Sequence, residues 1–202
     1  GIMRLKTKSV LTKYFPVIVA ALAVSSIAGN SYALKLNVAN PSFEDQALDD
    51  GTWSAGSVLG WTIDSGGNSA GTFNPEATMI TGELGVNTHF SNGSAVSQTL
   101  VDVLKEGTYT LRVAIGKRSD HVFPGYQVQL GVDNNGNFEL LSEDNNGLSP
   151  PDGGFTTSTV NYTATDSNLY LGSPLVVRLV GTGVQANFDN VRLDFVPSPA
   201  DV

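Results

Sequence analysis

Tyr109-Thr110-Leu111-Arg112-Val113-Ala114-Ile115 alternates large apolar residues with small or polar ones. The same period of two recurs in Tyr126, Val128, Leu130 and Val132, in Leu175, Val177 and Leu179, and in Val191, Leu193 and Phe195. A strand turns successive side chains to opposite faces, so each series predicts a half-buried strand bounded by Gly, Asn and Asp turns. Long stripes at helical spacing are missing from residue 34 onward. Antiparallel strands spread over this length predict an all-β, antiparallel β-sandwich of the jelly-roll type, one domain over residues 34–195. Asp133-Asn134-Asn135-Gly136 and Asp144-Asn145-Asn146-Gly147 read as hairpin turns, because Asn and Gly tolerate positive φ. They lack the glycine spacing and the bidentate Glu of an EF-hand loop.

The two ends differ from this pattern. Arg4, Lys6, Lys8 and Lys13 precede the apolar run Val17 to Val24, and Ser31-Tyr32-Ala33 has the small-x-small form of a cleavage site. Residues 1–33 therefore read as a secretory signal peptide rather than a membrane span. Residues 196–202, which include Val196-Pro197-Ser198-Pro199, read as an extended linker or tail. The whole chain of 202 residues has a net charge of −8. Without the leader, seven basic residues face 19 acidic ones, a net of −12. Such a balance disfavours nucleic acid and anionic lipid as partners and suits an extracellular protein. There is no cysteine to form disulfides, and a cation is a candidate staple in their place.

Two short motifs near the ends of the domain suggest where such a cation would sit. Asn40-Pro41-Ser42-Phe43-Glu44 opens the domain and Asn187-Phe188-Asp189-Asn190-Val191-Arg192-Leu193 closes it. First and last strands of a sandwich commonly lie close together. Asn40, Glu44 and Asp189 would then supply oxygen ligands to calcium. Strand parity extended back from Val191 puts Asp189 and Asn187 on the buried face, where a carboxylate must be paired, hydrogen-bonded or metal-bound. A capped turn, or an Arg partner such as Arg118, is the alternative. Two histidines and no cysteine argue against zinc.

Ligand-binding candidates are the aromatic and polar residues of loop-like sequence: Trp53, Phe73, Phe90, Arg118, Asp120 and His121. Trp53 lies in a Gly/Ser-rich loop and reads as exposed, whereas Trp61 and Tyr126 read as core. Arg118, Asp120 and His121 form a polar cluster that either lines a pocket or is a solvated loop. No acyl-transfer nucleophile with a base and no phosphate loop is visible.

Several motifs, taken in order, resemble one family. They are Asn40-Pro41-Ser42-Phe43-Glu44, Gly60-Trp61, Phe73-Asn74-Pro75, Ser97-Gln98-Thr99-Leu100, Thr108-Tyr109-Thr110-Leu111 and Gly116-Lys117-Arg118. Phe123-Pro124-Gly125-Tyr126, Phe155-Thr156-Thr157-Ser158-Thr159-Val160 and Phe188-Asp189-Asn190-Val191-Arg192-Leu193 follow. The chain resembles secreted bacterial domains, many with a PEP-CTERM sorting tail, that share their fold with the Stig cyclases of hapalindole-type alkaloid biosynthesis. The resemblance implies a jelly roll like a carbohydrate-binding module, with bound calcium. It also implies a catalytic Asp where this chain has Asn187, and a catalytic Tyr near His89. A carboxamide cannot deliver a proton as a carboxylic acid does, whereas histidine donates near neutral pH.

The leading expectation is therefore non-catalytic. It is a secreted, calcium-stabilised binding or matrix protein at the cell surface, with polysaccharide or surface polymer as partner and no membrane span in the mature chain. One alternative is a Stig-cyclase-like isomerase acting on a hydrophobic small molecule, with His89 and Asn187 at its site. The other is a structural protein that self-assembles into homo-oligomers through sheet edges.

Overall fold

The computed structural model describes residues 32–199. The signal peptide read over residues 1–33 lies outside them but for its last two positions. Among the described residues twelve strands are formed: β1 Leu34–Leu36, β2 Trp53–Ala55, β3 Thr62–Ser65, β4 Ala70–Phe73, β5 Thr88–Ser91 and β6 Ala95–Val103, then β7 Gly107–Lys117, β8 Tyr126–Asn134, β9 Asn137–Asn145, β10 Gly154–Ala164, β11 Pro174–Gly181 and β12 Ala186–Pro197. They make two antiparallel sheets. The seven-stranded sheet runs β10-β7-β12-β5-β4-β2, with β1 beside the second half of β12, and the five-stranded sheet runs β3-β6-β11-β8-β9. The jelly-roll expectation is met. Among the described residues no helix is long and apolar enough to cross a membrane.

The period-two series supply the core. Tyr109, Leu111, Val113 and Ile115 of β7 meet Tyr126, Val128, Leu130 and Val132 of β8 and Leu175, Val177 and Leu179 of β11 between the sheets. Burial of such side chains stabilises the fold by about 1.5–3 kcal/mol each. Trp61 packs in this core beside Phe43, with ring centroids 5.6 Å apart. The first Asn-Gly turn is a two-residue hairpin: Asn135 and Gly136 have φ of 54° and 87°, and Gly136 N–H donates to Asp133 Oδ1 at 2.6 Å. The second differs from expectation. It ends β9 and leaves the five-stranded sheet, because Asp144 is tied across the sandwich. Its Oδ2 accepts from Tyr126 Oη and from Ser158 Oγ of β10, each at 2.6 Å. Val196 and Pro197 belong to β12 and pair with β7.

One irregularity decides where the site residues point. Along β12, Asp189 pairs with Ala114 and Arg192 with Arg112, so three steps on β12 match two on β7. The extra residue is a bulge at Asn190, whose φ is 49°. Parity reverses across it. Val191, Leu193 and Phe195 face the core, as does Phe188, so Asn187 and Asp189 face outward. The expected inward direction of these two is corrected on this ground. The opening motif docks at the bulge, where Val191 N–H donates to Pro41 O at 2.8 Å.

Candidate functional site

Strand register sets one row of residues across the outer face of the seven-stranded sheet. Ala55 pairs with Gly71, Gly71 with Phe90, Phe90 with Asn187, Asn187 with Gly116, and Gly116 with Phe155. A cavity of about 310 Å³ lies over one half of this row. Trp53, Phe73 and Phe90 supply its aromatic walls, Met79 its far side, and Arg118 and Gln185 its polar edge. Trp53 is 65 % exposed at the rim. Gly71 is required here, because a Cβ would stand 2.6 Å from the Phe90 ring and 2.0 Å from Ser54 O.

The guanidinium of Arg118 lies 5.5 Å from the centroid of Phe73. Its Nε and Nη2 grip Asp120 at 2.8 and 2.6 Å, and its Nη1 donates to Gln185 Oε1 at 2.7 Å. The fork holds the Asp120 carboxyl well below the usual carboxylate range. His121 Nδ1 stands 3.2 Å from Asp120 Oδ1. Thus Arg118 reaches the cavity, whereas Asp120 and His121 stand behind it and do not line it.

The segment 75–87 straps over the other half of the row. Ile80 on it is fully buried, and its Cδ1 occupies the notch left by Gly116, 2.7 Å from where a Cβ would be. Two carboxylates hold the strap down. Asp189 Oδ2 accepts from Glu83 N–H and Leu84 N–H, both at 2.9 Å, and its Oδ1 accepts from Asn190 N–H at 2.6 Å. Glu44 Oε1 accepts from Val86 N–H at 2.9 Å and Asn87 N–H at 2.7 Å. Gly85, at φ +93°, lets the strap pass Glu44 closely. Burial pushes the Asp189 carboxyl up to about 7, and the nearby charge of Glu44 adds to this while the three N–H bonds oppose it. Among the described residues neither acid has a Lys or Arg partner.

Glu44 and Asp189 therefore hold the same strap, at Val86–Asn87 and at Glu83–Leu84. Asn40 is separate from them: its Oδ1 accepts from Asp45 N–H at 3.1 Å and its Nδ2 donates to Leu59 O at 2.8 Å. No cluster of three or more His, Asp or Glu that could hold a metal occurs among the described residues. The two acids are the oxygen donors a hard cation would find here, although each already accepts from backbone N–H groups.

His89 lies away from the cavity. It is one residue out of step with Phe90, so it faces the core, fully buried between Phe43 and Phe188 at 5.5 and 5.7 Å. Its Nδ1 is bonded to Gly71 O at 2.8 Å and its Nε2 has no partner. Burial pulls its pKa down to about 4. Within β5, Thr88 and Phe90 face the same way as Asn187. Asn187 itself is fully buried beneath the strap; its Nδ2 donates to Thr88 Oγ1 at 2.8 Å and its Oδ1 has no partner. Met79, Gln185 and Ile80 were missed by sequence reasoning, since nothing in an irregular loop signals which residues return to a distant sheet. A second cleft, of about 420 Å³, lies on the five-stranded sheet, where Arg178 is paired with Asp64.

The family model described as HpiC1 cyclase matches residues 34–194. The chain belongs to the HpiC1-like cyclase family. A Stig cyclase, Fisc from Fischerella sp. TAU, solved with (3Z)-3-(1-methyl-2-pyrrolidinylidene)-3H-indole, is 26 % identical with a TM-score of 0.74, over 83 % of this chain and all of that one. A cyclase from the same organism, solved with 4-(1H-indol-3-yl)butan-2-one, is 26 % identical with a TM-score of 0.72, over 82 % of this chain and 98 % of that one. The MgGH51 α-L-arabinofuranosidase shares the fold alone, at 16 % identity and a TM-score of 0.52, over 83 % of this chain and 27 % of that one. No curated protein sequence matches.

These relationships overturn the leading expectation of a calcium-stabilised binding or matrix protein directed at polysaccharide or surface polymer. The matched family and the whole-length neighbours are cyclases, and they favour the isomerase alternative.

Proposed function

We propose that this chain is a cyclase-type isomerase acting on a hydrophobic small molecule with an indole-like ring. The carrying observation is the aromatic cavity beside Asn187, on the sheet face where the cyclase resemblance puts its acid. Ring closure within one molecule leaves composition unchanged, so much of the work is conformational. Trp53, Phe73 and Phe90 would hold a flat ring and fold a flexible side chain back on it, which lowers the entropic part of the barrier. Their π faces, and exclusion of water by Met79, favour charge that develops on carbon. Asn187, buried beneath the strap, does not line the cavity and is assigned no proton transfer.

The test is calorimetric titration with 4-(1H-indol-3-yl)butan-2-one, followed by chromatography and mass spectrometry on an indole carrying a flexible unsaturated side chain. Binding that Phe90→Ala weakens, together with a product of unchanged mass and new retention, is the expected result. No binding at all would refute the reading.

Calcium is proposed as a structural cation on Glu44 and Asp189, supported by a half-buried and a fully buried acid that lack a cationic partner among the described residues. It should raise the melting temperature of the wild type but not of Asp189→Ala. The leader pattern over residues 1–33 supports export, which N-terminal sequencing of a secreted product would check.

A further inference from the structure

The row across the seven-stranded sheet is longer than the cavity above it. The cavity covers Ala55 and Phe90, whereas Ile80 covers Gly116 beside Asn187. Strands lie about 4.8 Å apart, so the covered half is about 10 Å from Phe90 to Gly116. At its floor stands Asn187 Oδ1, a fully buried acceptor without a partner. Leaving such a group unpaired is costly, and it gains a bond when a donor reaches it. Gly116 has no side chain to fill the space above; the Phe155 ring and Ile80 Cδ1, 2.5 and 2.7 Å from where a Cβ would be, share it.

We propose that Ile80 is the specificity-determining residue for ligand length, and that the recess it fills is the closed end of the binding site. This rests on the cyclase reading above. A molecule whose ring lies against Phe73 and Phe90 meets Met79, and the next residue, Ile80, lies buried over Gly116. Shortening Ile80 extends the cavity along the row toward Asn187. The extension is apolar along its sides and ends on a carbonyl oxygen, so it selects an alkyl chain that terminates in an O–H or N–H donor.

The probes are 3-methylindole and 3-(2-hydroxyethyl)indole, titrated calorimetrically into the wild type, Ile80→Ala and the double variant Ile80→Ala with Asn187→Leu. In the wild type the longer probe binds no more tightly than the shorter one. Ile80→Ala tightens the longer probe about tenfold, from about fourfold per buried methylene and about threefold for the new hydrogen bond. The shorter probe changes by less than about twofold. Asn187→Leu then removes the hydroxyl's share of the gain. Ile80→Val removes less volume and moves the ratio in the same direction by a smaller factor. An affinity ratio unmoved in whichever Ile80 variant is folded overturns the proposal while leaving the cyclase reading intact. Failure of either probe to bind the wild type or the variants overturns both.

Discussion

Acid should destabilise this protein through His89, and the size of the effect follows from its surroundings. The imidazole is enclosed by Phe43 and Phe188, has one bond to Gly71 O, and has its pKa pulled from 6.5 to about 4 by burial. The folded chain thus binds this proton more weakly than the unfolded chain. The contribution is fully present above pH 6.5 and is lost as pH falls toward 4. At about 1.4 kcal/mol per tenfold change in proton affinity, His89 costs about 2 kcal/mol at pH 5 relative to pH 7.5, and about 3 kcal/mol near pH 4. His89→Phe keeps an aromatic ring in the site and cannot titrate. Urea unfolding of both proteins at pH 7.5 and pH 5 is the assay. With a slope of about 2 kcal/mol per molar urea, the wild-type midpoint should fall about 1 M further than that of His89→Phe. Asp189, raised to about 7, acts in the opposite sense: its contribution is present below pH 3.8 and lost as pH rises toward 7. It is common to both proteins and cancels in the comparison. Equal losses in the two proteins would refute the reasoning.

Asp189→Ala leaves the N–H groups of Glu83, Leu84 and Asn190 without their acceptor and should cost about 3 kcal/mol. Hydrogen exchange should accelerate at Glu83 and Leu84, while the amides of β7 stay protected. Gly85→Ala places a Cβ 2.4 Å from Glu44 Cδ at a φ of +93°, and should lower stability by about 2 kcal/mol in thermal unfolding. Trp53→Ala removes a side chain that is mostly in solvent. Its unfolding free energy should stay within about 0.5 kcal/mol of wild type, while affinity for 4-(1H-indol-3-yl)butan-2-one falls at least about tenfold.

Local alternation was enough to find β7, β8, β11 and the second half of β12, which supply much of the core. Residues such as Leu111, Val128, Leu179 and Leu193 repeat at the period of the pleat, and burial of one face follows from that period alone. The ordered motifs also carried the family. That the opening and closing motifs lie close together was legible, and Val191 N–H does bond to Pro41 O. The direction of Asp189 was not legible. One inserted residue at Asn190 reverses parity, and a bulge leaves no mark that periodicity can register. The opposite facing of His89 and Phe90 likewise depends on register with β4 and β12, which no single strand contains. Trp53, Phe73 and Phe90 become one wall only because β2, β4 and β5 lie side by side, and Ile80 seals Asn187 only because a loop crosses the sheet. Periodicity is a property of neighbours along the chain, so the sequence determined which residues are buried; the cavity is a property of neighbours in space, so only the tertiary structure decided which of them meet.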